Sequence, residues 1–171
     1  MPGADPVLRR VRTGEYDRVG EITVAAYAPF TLGPEDPYVA RLADTAARDR
    51  DAEVWVAVDG RDDGTDALLG SVTLCPPGSP WRELATHGEG EFRMLSVDPG
   101  AQGRGVGAAL VGLCLARARD AGEAAVVISS LREMAAAHRL YARLGFVRVP
   151  ERDWEPVPGV QLLGFRLDLE D

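Results

Sequence analysis

The segment Gln102-Gly103-Arg104-Gly105-Val106-Gly107-Ala108 carries the most legible chemistry in this chain. Glycine lets a backbone bend sharply and lets a ligand approach it closely. A helix opening here would present N–H groups that have no internal partner, with the positive end of its dipole beside them. Arg104 adds a full charge. Such a turn can seat a phosphate or pyrophosphate. A connection with no ligand has no need of three glycines at alternate positions.

The surrounding pattern supplies elements to position that turn. Residues 91–97 read as a strand stopped by Asp98-Pro99-Gly100, and residues 106–121 as a helix with Gly122 just past its end. The apolar run 124–129 reads as a buried strand parallel to the first. Upstream come a short strand at 7–12 and a helix at 15–27, capped by Thr13 and ended at Pro29. Asp36 caps a second helix with Pro37 at its first turn, running to about residue 48. Residues 54–58 and 68–74 form a hairpin across a polar turn at 59–66, and 75–88 is a surface loop. Downstream, Ser130-Leu131-Arg132-Glu133 fits a capping box opening a helix that ends at Leu144-Gly145. Strands at 146–149 and 161–169 follow, with Asp153-Trp154 in the Pro-rich loop between them. The expected fold class is α/β: one mixed α+β sheet with about four flanking helices, as one domain over residues 1–171.

Two phosphate ligands compete for the turn. Gly103, Gly105 and Ala108 satisfy G-x-G-x-x-A, the dinucleotide fingerprint. Against it, five residues separate the strand end from the first glycine, only one β-α-β unit surrounds it, and no acid ends the next strand. Gln102, Gly105 and Gly107 instead satisfy Q-x-x-G-x-G. This strongly resembles the coenzyme A pyrophosphate motif of the GNAT superfamily of N-acetyltransferases. Leu95-Ser96-Val97-Asp98-Pro99 looks like the family's strand before the motif. The run from Ala137 through Tyr141 to Gly145-Phe146 looks like its A-x-x-x-Y-x-x-x-G-F element. The order of elements agrees from about Val7 to Leu169.

That resemblance implies a GNAT-like fold and an acetyltransferase moving an acetyl group from acetyl-CoA to a primary amine within a ternary complex. It implies that the backbone of Gly103, Arg104, Gly105, Val106, Gly107 and Ala108, after Gln102, holds the pyrophosphate. Leu95, Ser96 and Val97 would pair with the pantetheine amides where the family's central strands splay, the Leu95 N–H meeting the thioester carbonyl. Tyr141 matches the family tyrosine that protonates the leaving thiolate; an ordinary phenol near pH 10 lies above a thiol and can do so. Met134, Ala137, Tyr141 and Leu144 fall on one helix face. Met134 stands where many members carry Asn, and can pack against the cofactor arm but not hydrogen-bond to it. Some members place a catalytic glutamate where Glu91 stands. With period two it would share a face with Leu95 and Val97, although a salt bridge with Arg93 would also explain it. Glu89 is a weaker alternative. The acceptor pocket would draw on Tyr27, Phe30 and Trp154, whose rings beside acids suit an amine. His87 reads as a loop residue, His138 as a solvated helix residue and Cys75 as structural.

Composition removes other classes. Of 171 residues, 19 are basic and 27 acidic, a net charge of −8, which argues against nucleic acid or an anionic membrane as partner. Every basic residue is arginine. That excludes a Walker lysine, a pyridoxal Schiff base and a lysine base. Two cysteines and two histidines give no metal-ligand spacing. No apolar run reaches membrane-spanning length and no leader pattern opens the chain, so a cytoplasmic location is expected. A catalytically silent acyl-CoA sensor on the same fold is the alternative to an enzyme. The expected partners are acetyl-CoA, an amine on a small molecule or protein terminus, and a second copy, since dimers are common in the family.

Overall fold

The computed structural model describes residues 4–60 and 66–170. Seven strands form one mixed sheet: β1 (Val7–Arg10), β2 (Glu53–Val58), β3 (Leu68–Cys75), β4 (Glu89–Val97), β5 (Ala125–Leu131), β6 (Val147–Arg148) and β7 (Leu162–Asp168), in the order β1-β2-β3-β4-β5-β7-β6. Five helices flank it: α1 (Tyr16–Tyr27), α2 (Pro37–Ala43), α3 (Thr45–Asp51), α4 (Val106–Asp120) and α5 (Ala135–Arg143). Among the described residues, only β4 and β5 pair in parallel, as expected of a β-α-β unit. The polar turn expected at 59–66 lies largely outside the described residues.

Several local expectations are corrected. The second helix breaks at Asp44, whose side chain accepts from the Ala47 N–H at 3.0 Å and starts α3, giving five helices. Thr13 does not cap α1. It opens a single 3-10 turn, in which Glu15 accepts from the Arg12 N–H at 2.8 Å. The capping box at Ser130–Glu133 is absent because β5 continues through Leu131, paired with Leu162 of β7. Helix α5 starts only after Met134 and has no side-chain cap.

The sheet separates two apolar layers. On the α4 and α5 side, Val72, Phe92, Val106, Leu110, Ile128, Tyr141 and Phe165 belong to one buried cluster. On the α1–α3 side, Leu42, Cys75, Trp81 and Met94 form another, with Tyr27 and Tyr38 packed against it. Within the second layer Arg48 is fully buried, with no carboxylate partner among the described residues. Hydroxyls of Thr73, Thr23 and Thr45 and the Leu42 carbonyl accept its N–H groups, and burial pulls it down to about 10.

Candidate active site

Between β4 and α4 the chain makes an open turn. Asp98 holds its start, accepting from the Gly100 N–H at 2.8 Å and from Arg18 at 2.8 Å. Gly103 and Gly105 lie in the left-handed region, φ 79° and 75°. A Cβ on either would meet nothing within 4 Å, so both face open space. The first backbone bond of α4 runs from the Ala109 N–H to the Gly105 carbonyl at 3.0 Å. Among the described residues, none accepts from the N–H groups of residues 103–108. Arg104 is exposed and no described residue pairs with it. Gly107 sits 3.1 Å, measured from an added Cβ, from Leu140 of α5, so α4 begins close against that helix. The donor set fits an anionic diphosphate: free N–H groups, one free cation and the positive end of a 15-residue helix.

The turn stands at the mouth of a gap. β4 and β5 pair only through Glu89, Gly90 and Glu91 with Ala125, Val126 and Val127. Beyond Glu91 the strands part, and among the described residues the edge of β4 facing β5 has no strand partner. Ser71 pairs with Ser96 and Thr73 with Arg93, so Val72 alone opposes Met94 and Leu95, a bulge. Met94 takes a positive φ of 53° there. The extra residue flips the side-chain alternation. Leu95 and Val97 therefore pack with Phe92 on the Tyr141 side, and Glu91 lies on the opposite face. The shared face expected for Glu91, Leu95 and Val97 is corrected accordingly.

Tyr141 is buried among Phe92, Phe146 and Phe165, with ring centroids 6.2, 5.6 and 5.8 Å away. Burial pushes its phenol well above the usual range. No described residue hydrogen-bonds its hydroxyl. Ala137 and Leu140 pack on the same core, and Met134 is half-buried at the start of α5. His138 is not solvated as expected: its Nε2 lies 3.1 Å from the Ser130 hydroxyl and its ring 5.0 Å from Phe165.

Across the gap, Glu91 is 1% exposed. Its carboxylate accepts from the N–H groups of Glu83 (3.1 Å to each oxygen), Leu84 (2.9 Å) and Ala85 (2.9 Å), clasping the β3–β4 loop. Glu89 is occupied too. Burial opposes its ionisation, but bonds from Arg152 and Thr86 outweigh that and hold it at about 2. Arg166 also donates to it. Tyr27 is packed in the α1 layer, its phenol raised first by burial and then by the Tyr38 and Tyr141 hydroxyls. Phe30 is partly exposed beyond Tyr27. Trp154 bonds Ser129 of β5 at 3.1 Å on the far rim. His87 is exposed. Residues that sequence reading missed are Glu83 and Tyr38; Arg93, read as a salt-bridge partner for Glu91, pairs with Glu83 instead. The signal for Glu83 and Tyr38 is weak, since each is a charged or aromatic residue with no motif around it.

A sheet splayed beside an amide-lined turn is the architecture of coenzyme-A-dependent acyltransferases of the GNAT type. Residues 18–146 match the Acetyltransferase (GNAT) family, and the chain belongs to that family. Solved structures agree on the fold. An acetyltransferase of the GNAT family from Staphylococcus aureus Mu50 superposes with TM-score 0.74 at 11% identity, covering 96% of this chain and 99% of the other. The yncA protein of Salmonella typhimurium, solved with its cofactor acetyl-CoA, gives 0.65 at 22% identity, covering 98% and 96%. In sequence, the mycothiol acetyltransferase of Cellulomonas flavigena is 39% identical over 118 residues, 66% of this chain and 33% of that protein. That of Mycolicibacterium gilvum is 32% identical over 150 residues, 81% and 46%. The chain thus spans between a third and a half of the length of these relatives. Among the described residues, no helix is long and apolar enough to cross a membrane, and no group of side chains could hold a metal ion.

Proposed function

We propose that this chain transfers an acetyl group from acetyl-CoA to a primary amine by direct attack in a ternary complex. One observation carries the reading: among the described residues, a run of N–H groups without acceptors at 103–108 opens onto a strand edge without a partner. Gln102 leads that run, and its amides, from Gly103 to Ala108, hold the diphosphate. The free edge at Leu95, Ser96 and Val97 takes the pantetheine amides as a strand would. Acetyl-CoA brings an activated thioester. The Leu95 N–H, at the bulge, faces the charge that develops on the carbonyl oxygen. Met134 and Ala137 line the arm without crowding it. Tyr141, kept protonated by its apolar surroundings, gives its proton to the departing sulfur. Tyr27, Phe30 and Trp154 border the acceptor side.

The names of the matched relatives support a small-molecule acceptor over a protein terminus. Two buried unpaired cysteines, Cys75 and Cys114, suit a reducing cytoplasm. The test is calorimetry with CoA, then release of CoA from acetyl-CoA across a panel of amines. Binding with turnover supports transfer. Binding with no turnover for any amine favours a sensor, and no binding removes the reading.

A further inference from the structure

With Glu91 clasped and Glu89 taken by arginines, the acceptor side still needs a carboxylate, because an amine arrives at neutral pH as an ammonium ion. Glu83 meets that need. Its backbone is fixed by Glu91, which accepts the Glu83 N–H on both oxygens. Arg93 stands two residues after Glu91 on the same face of β4. It pairs with one oxygen of Glu83, Oε1. Arg93 is itself held, donating to the Trp81 carbonyl at 3.1 Å with its guanidinium 5.7 Å from that ring. No described residue donates to the other oxygen, Oε2. Arg93 lies past Glu91, where β4 and β5 have parted, so its pair with Glu83 stands beside the gap on the side of β4 that Trp81 covers.

Resting on the transfer reading above, we propose that Glu83 receives the acceptor's ammonium group at Oε2 and takes its proton. The atoms balance as follows. Glu83 accepts one proton and frees the nitrogen lone pair. That nitrogen forms the C–N bond as the C–S bond breaks. Tyr141 gives a proton to sulfur and regains the nitrogen's second surplus proton, while Glu83 returns its own to solvent. Burial raises Glu83 above an ordinary carboxylate, with Arg93 opposing and Glu91 adding. A base poised closer to working pH is a better proton acceptor than Glu89.

The experiment measures CoA release from acetyl-CoA with phenethylamine, glucosamine and a free tripeptide, for wild type, Glu83→Gln and Glu83→Asp, across pH. The proposal expects Glu83→Gln to lower kcat/KM by about 100-fold or more. It expects the acid limb of the pH profile to vanish, with unchanged acetyl-CoA affinity by calorimetry and partial recovery in Glu83→Asp. Wild-type kcat/KM with an intact acid limb in Glu83→Gln overturns it. So does a loss that comes with weakened acetyl-CoA binding, which marks Glu83 as structural only. No turnover by the wild type on any amine overturns the transfer reading itself, and Glu83's role with it.

Discussion

Tyr141 and Glu91 are both buried, and their surroundings assign them opposite tasks. Tyr141 is held by three rings and leaves its hydroxyl without a described partner, so its one polar atom is available to a ligand. With the proposed role of Tyr141 as proton donor, Tyr141→Phe should lower turnover by about 100-fold while leaving acetyl-CoA affinity within a factor of two. Calorimetry and steady-state rates check this. Glu91 is committed to the loop: its Oε1 accepts from three successive residues and its Oε2 shares the N–H of the first of them. Glu91→Gln swaps an acceptor for a donor facing N–H groups, and should destabilise the fold by about 2–4 kcal/mol. A melting temperature equal to that of wild type would contradict the clasp.

The turn before α4 depends on backbone conformation more than on side chains. Gly105 sits at φ 75° with open space around its Cβ position, so steric room does not forbid alanine there. The left-handed conformation costs a non-glycine residue about 1–2 kcal/mol. Gly105→Ala should lower the melting temperature by a few degrees. It should weaken CoA at least tenfold, because a methyl group would stand where the diphosphate is proposed to bind. An isothermal titration showing unchanged affinity would place the diphosphate elsewhere. The bulge at Met94 and Leu95 matters to β4 in the same way. It sets which residues face α5 and which face the acceptor layer.

Long-range ion pairs on Glu89 tie the C-terminal hairpin to the centre of the sheet. Arg152 precedes β7 and Arg166 lies on it, both reaching Glu89 at the start of β4. Glu89 is depressed to about 2, against about 4.3 for an unfolded glutamate. A depressed carboxylate contributes stability above its unfolded value, and loses it as pH falls through the folded one. Stability should therefore drop between about pH 5 and 2, and Glu89→Gln should flatten that drop while lowering stability at pH 7. Thermal melts over that range decide it. The closure is local to the paired base of β4 and β5, which lets the strands separate beyond it.

Much of the candidate site's local geometry was legible in the sequence. Glycine spacing after a strand announces an amide-lined turn because only glycine accepts φ near 75° without strain, and Tyr141 follows from a helical repeat. The β-α-β unit is visible in its apolar run. Three things were not. The bulge is one unpaired residue in a strand, and nothing in Phe92-Arg93-Met94-Leu95 marks it, yet it reverses the faces that period two assigns to Leu95 and Val97. The clasp on Glu91 and the pairing of Glu83 with Arg93 join segments that are eight and ten positions apart, on a loop whose shape depends on what it packs against. Local propensity and spacing specify turns and helix faces. Which carboxylate is filled by N–H groups and which is left open depends on contacts that exist only once the layers have closed.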